Sequence, residues 1–99
     1  MKKFAYILMG TTLNPSTHTA EFEVSFGKIC IFTVRNANEA KEKVAELWHE
    51  GFGAIELCGA FNRNLARELI DLTNNEVAIG YSIHQPEQDK LFTQFFDKL

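Results

Sequence analysis

The spacing of hydrophobic and polar positions changes several times along the chain, and each change marks an element. Phe4-Ala5-Tyr6-Ile7-Leu8-Met9 is an unbroken apolar run closed by Gly10. With no helical stripe, it predicts a strand buried on both faces and therefore central. The polar stretch 11–19 contains Asn14-Pro15, an N-cap followed by a proline suited to the first helical position, which predicts a short helical turn through His18. From Ala20 the pattern alternates: Phe22, Val24 and Phe26 oppose Glu21, Glu23 and Ser25, as on a half-exposed edge strand. Gly27-Lys28 suits a two-residue hairpin turn into the β-rich run Ile29-Cys30-Ile31-Phe32-Thr33-Val34.

The period then lengthens. Asn36 and Glu39 approximate a capping box ahead of a stripe of Ala40, Val44, Leu47 and Trp48, and Gly51 closes that helix. Residues 53–57 return to a short strand. Asn62 or Asn64 caps a second helix with Leu65, Ala66, Leu69 and Ile70 toward the core, and Asn74-Asn75 ends it. A strand over 77–83 comes next. Pro86 then opens a third helix, with Glu87 and Asp89 near its positive end, Lys98 near its negative end, and an apolar side of Leu91, Phe92, Phe95, Phe96 and Leu99.

Strands alternating with helices imply right-handed crossovers and a mainly parallel sheet. The expected fold is α/β, a single domain over residues 1–99 with about four mainly parallel strands, three helices and an antiparallel edge strand. The alternative is a ferredoxin-like α+β sandwich, which has two helices on an antiparallel sheet; strand order separates the two.

Composition narrows the function. At 99 residues there is room for one core. Nine phenylalanines are a large apolar payload for that size, and some of it is available to a second copy, so a homodimer is expected. A formal charge of −3 with scattered lysines gives no basic stripe for nucleic acid. The opening apolar run is too short for a signal peptide or a membrane span, which makes the cytoplasm the expected compartment and free thiols the expected state of Cys30 and Cys58.

Ligands of open α/β sheets bind beyond the carboxyl ends of the strands. Candidate chemistry at that edge is Thr12 and His18 after the first strand, Cys58, Gly59 and Asn62 after the residue 53–57 strand, Ser82 near the end of the last strand and His84 after it. Glu56 and Cys58 are two apart on one strand and so share a face by alternation. Glu56, Cys58 and His84 are the catalytic candidates, with carboxylate or imidazole as acid or base and the thiol as nucleophile or polar contact. Each also has a structural reading: Glu56 as a solvated or Arg35-paired carboxylate, Cys58 as a small apolar filler, His84 as a backbone partner. Helices on both sides of the sheet would bury Glu56, and a buried carboxylate demands a partner. Cys30, between isoleucines, reads as packing. No ligand pair stands at a recognised metal spacing, and no glycine-rich phosphate loop is present, so neither metal nor nucleotide cofactor is expected.

Asn14-Pro15-Ser16-Thr17-His18 and the central Ala54-Ile55-Glu56-Leu57-Cys58-Gly59-Ala60-Phe61 resemble a family of small uncharacterised bacterial and archaeal proteins of unknown function. In that family the central stretch usually carries Gly-Gly-Phe, so Ala60 is a departure. The resemblance implies a compact α/β domain and no established activity. The expected function is binding of a small anionic or carbonyl-bearing metabolite at the carboxyl edge, with lyase, isomerase or hydrolase chemistry if the site turns over. A non-catalytic oligomeric module is the alternative.

Overall fold

The computed structural model describes residues 1–97. Its elements are β1 (Lys2–Met9), β2 (Ala20–Val24), β3 (Gly27–Val34), α1 (Ala37–His49), β4 (Ala54–Leu57), α2 (Arg63–Leu72), β5 (Ala78–Tyr81) and, after a 3-10 turn at Pro86–Gln88, α3 (Asp89–Asp97). One five-stranded sheet has the order β2-β3-β1-β4-β5. β3, β1, β4 and β5 are parallel, and β2 is the antiparallel edge. The fold is therefore α/β, and four parallel strands rule out the ferredoxin-like alternative. Lys98 and Leu99, assigned from the sequence to the end of the last helix, lie outside the described residues.

Local chemistry accounts for the element boundaries. Asn36 accepts the Glu39 N–H at 2.9 Å, and the Glu39 carboxylate returns to the Arg35 N–H at 2.8 Å, so two donors at the start of α1 are satisfied reciprocally. Asn62 does the same service for Leu65 N–H at 2.8 Å on α2. Both helices end in Schellman geometry. Phe52 N–H reaches Leu47 and Gly51 N–H reaches Trp48 on α1; Asn75 reaches Ile70 and Asn74 reaches Asp71 on α2. Gly51, at φ 89°, and Asn74, at φ 57°, supply the left-handed residue each motif needs.

The hairpin turn lies two residues earlier than the sequence suggests: Ser25 and Phe26 form it, and Gly27 already pairs with Val24 as the first residue of β3. The glycine is required by the neighbouring strand. At φ 149°, a Cβ there would stand 1.9 Å from the Lys2 carbonyl oxygen.

β1 is central, as its apolar run predicts, but it is not covered on both faces. Ala5 and Ile7 point into one core with Cys30 and Val34 of β3, Ile55 and Leu57 of β4, Ala40, Val44 and Leu47 of α1, and Leu65, Ala66 and Leu69 of α2. Phe4, Tyr6 and Leu8 point the other way and take no part in that core. The cause is topological. β3 reaches β4, and β4 reaches β5, by crossovers that step in one direction, so both helices fall on the same face. The β1-to-β3 connection runs through a loop and β2 and brings no helix to the other face.

Candidate functional site

The uncovered face carries the polar row at the centre of the site. Tyr6, Glu56 and Gly80 are successive register partners across β1, β4 and β5, so their positions line up on this face. The Tyr6 hydroxyl lies 3.0 Å from the Ser82 hydroxyl, joining β1 to the end of β5. Glu56 leans over the backbone of Gly80: a Cβ at that glycine would meet its carboxylate oxygens at 3.0 and 3.1 Å. The missing side chain at Gly80 is thus the space Glu56 occupies. Ala54 and Ala78, also small, flank the row on the same face.

Glu56 is exposed, not buried as helices on both sides would have made it. Its surroundings are hydroxyls and small side chains on the same face, and beyond them the apolar side chains of Phe4 and Leu8. Register puts this acceptor on the same face as two groups that can donate or accept.

The remaining candidates occupy distinct positions. Cys58 lies at the ends of β1 and β4, where its N–H donates to the Ile7 carbonyl and its Sγ accepts the Met9 N–H at 3.3 Å while packing against the core. Ser82 N–H donates to the Leu57 carbonyl at 2.8 Å, which sets Ser82 one step beyond Glu56 and across from Cys58. Gly59 is near the same strand end, 3.9 Å from its would-be Cβ to the Ser82 carbonyl oxygen. Asn62 commits its side-chain oxygen to the α2 cap.

His84 belongs to another cluster. Its Nε2 pairs with Asp89 at 2.5 Å, and its ring stacks on Phe92 with centroids 4.2 Å apart. It fixes the corner into α3. His18 accepts the Asn14 N–H through Nδ1 at 2.9 Å, and its carbonyl receives the Thr33 hydroxyl at 2.8 Å, so it organises its own loop. Thr12 is exposed in the turn after β1. Cys30 is buried, and that burial pushes its thiol above the ordinary range, as expected of a packing cysteine. Among the described residues no three His, Cys, Asp or Glu side chains gather closely enough to hold a metal ion.

Tyr6 is the member of the row that the sequence reading missed. Its position inside an apolar run hid it, although a tyrosine on a strand always carries a hydroxyl that needs a destination. Two shallow clefts of about 370 and 400 Å³ open elsewhere, one between the 14–16 turn and α1, the other between α2 and β5, and neither is lined by Glu56, Cys58 or His84.

These features define an α/β domain whose mostly parallel sheet is covered by helices on one face and bears a hydroxyl and carboxylate row on the other. The chain belongs to a family of unknown function, DUF6506, whose model matches residues 2–97. No curated protein and no solved structure matches it. No helix among the described residues is long and apolar enough to cross a membrane.

Proposed function

We propose that the protein binds a small carbonyl-bearing metabolite on the uncovered sheet face, at the Tyr6, Glu56 and Ser82 row, and that it does so as a homodimer. The observation that carries this reading is the Tyr6–Ser82 hydroxyl pair set beside a carboxylate for which Gly80 leaves room. One O–H is spent between the two hydroxyls, so the other donates to a carbonyl oxygen while Glu56 accepts an N–H or O–H from the same molecule. Of the two ligand classes raised by the sequence, the anionic one fits less well, because Glu56 repels a second negative charge and the row contains no cation.

The same groups suit proton transfer. A carboxylate beside a carbonyl held by the free O–H of a hydroxyl pair is an arrangement for moving a proton next to that carbonyl, which favours isomerase or lyase chemistry. Cys58, one step along the strand, enters as a polar contact at the rim, since its sulfur already accepts a backbone N–H. His84 is tied to Asp89 and Phe92 and enters through the position of α3.

A thermal-shift screen with aldehydes, amides, 2-oxo acids and sugars tests the reading. At least one neutral carbonyl compound should raise the melting temperature of the native chain, and Glu56→Gln and Ser82→Ala should each abolish the rise without lowering the unliganded value. The second reading, an oligomeric module with no ligand, draws on the exposed apolar face of α3, where Phe95 is 62% exposed. It gains the field if no compound shifts the native chain.

A further inference from the structure

Among the described residues, two largely apolar surfaces have no helix or further sheet packed across them. One is the uncovered sheet face, where Phe4, Phe22, Ile29, Ile31 and Leu8 form a continuous patch over β2, β3 and β1. Phe22 is 51% exposed there. The other is α3, whose Leu91, Phe92, Phe95 and Phe96 form one stripe, all exposed, while Lys90, Thr93, Gln94 and Asp97 occupy the rest of the helix. No residue of α3 is buried, and the element it packs against is the 3-10 turn before it.

We infer that two copies associate about a two-fold axis with each α3 laid across the uncovered sheet face of the other. The surface area supports a second copy as the occupant. The chain exposes 6774 Å², whereas a compact monomer of 11.3 kDa exposes about 5,700 Å². The excess of about 1,000 Å² per chain matches the roughly 800 Å² that each partner contributes to a stable interface of standard size. The radius of gyration agrees, at 13.9 Å against about 12.6 Å for a compact chain of this length.

The dimensions agree too. A helix with its side chains is about 10–12 Å across, and β2 to β1 is two strand spacings, about 9.6 Å. One helix therefore covers the apolar part of the face. Because each chain carries both the helix and the patch, a two-fold exchange covers all four surfaces at once and closes without leaving an edge for further growth. A foreign partner would cover one surface and leave the other bare. The chain's own α3 is directed off its sheet at the corner where His84 pairs with Asp89 and stacks on Phe92.

Neither surface depends on the ligand reading, though their pairing has a consequence for it. The partner's α3 would lie over β1, where Tyr6 stands between Phe4 and Leu8, and would wall that side of the row, with Glu56 and Ser82 at its edge.

Sedimentation or light scattering at micromolar concentration should give twice the 11.3 kDa chain mass. Phe95→Glu on the helix and, separately, Phe22→Glu on the sheet should each give a folded monomer, since both side chains are exposed within one chain; far-UV circular dichroism verifies the fold. In a mixture of isotopically labelled and unlabelled chains, filtered NOE spectra should connect the Phe92 and Phe95 rings of one chain to the Ile29 and Ile31 methyls of another. A monomeric native chain overturns the inference, as does a dimer that survives Phe95→Glu or lacks those contacts between chains. Ring-to-methyl contacts within a single chain would mean that α3 folds back on its own sheet, and would overturn it equally. A confirmed dimer that fails every carbonyl compound leaves this inference standing while the ligand reading falls.

Discussion

The two faces of the sheet are built from the same strands and differ in what covers them. On the helix side of β1 stand Ala5 and Ile7, both fully buried. On the other side of the same strand stand Phe4, Tyr6 and Leu8, larger side chains with no helix above them. Small residues such as Ala5, Cys30, Ala40 and Ala66 line the covered side, where helix and sheet must approach closely. The covered side also holds the large side chains Ile7, Ile55 and Leu57, while the open side carries bulk over β1 to β3 and the small Ala54, Ala78 and Gly80 over β4 and β5. Hydrophobicity alone therefore marks which residues avoid water without saying what keeps the water away.

The largest test of this contrast is truncation on each face. With Phe95→Glu as background, so that chains stay apart, Leu57→Ala should cost about 2–5 kcal/mol in urea unfolding, for lost burial and the cavity left behind. Phe22→Ala on the same background should cost under about 1 kcal/mol, because half of that side chain already faces solvent. Equal costs would break the comparison and mean that the open face is covered within one chain.

A finer test separates site from scaffold on the open face. In Gly80→Ala the new Cβ meets only the far end of the Glu56 side chain, which can swing away. Stability should change by less than about 1 kcal/mol, while the thermal shift given by a carbonyl ligand should fall. A larger loss of stability would assign Gly80 to the backbone instead of to the room Glu56 needs.

The smallest effect belongs to the rim of the covered face. Hydrogen bonds from the Arg35 guanidinium and from its backbone N–H hold the Glu39 carboxyl below the usual carboxylate range. A carboxyl lowered in the folded state adds stability that is complete above its unfolded value, about 4.3, and is lost as the pH falls through the lower folded value. Stability of the native chain should therefore drop more steeply below about pH 4 than that of Glu39→Gln. Since the pair is exposed, the difference should be small and should shrink in high salt.

Much of the fold was legible because its signals are local. Asn36, Asn62, Gly51 and Asn74-Asn75 bound their helices through hydrogen bonds that reach no more than five residues. Alternation over residues 20–24 and the β-rich run after Gly27 likewise carried the antiparallel edge. The hairpin turn itself was displaced because Gly27 answers to Lys2, a residue 25 positions away in the sequence. Of the candidate site, Glu56 and Ser82 were legible from alternation across β4 and β5. Tyr6 was not, since nothing near it in sequence reveals that its hydroxyl meets Ser82. The separation of His84 from this row had a similar origin: the chain leaves the sheet after Tyr81, and strand alternation no longer places the residues beyond that point.

By itself the sequence determined the elements, their caps and the α/β class, because helix and strand periods, capping hydrogen bonds and left-handed turn residues act within a few residues. Only the tertiary structure decided that both crossover helices lie on one face, that Glu56 stands in the open over Gly80 beside Tyr6 and Ser82, and that α3 leaves the core. Those features depend on the direction in which successive crossovers step across the sheet and on pairings between distant strands. An apolar position reads the same whether its own chain covers it or leaves it bare.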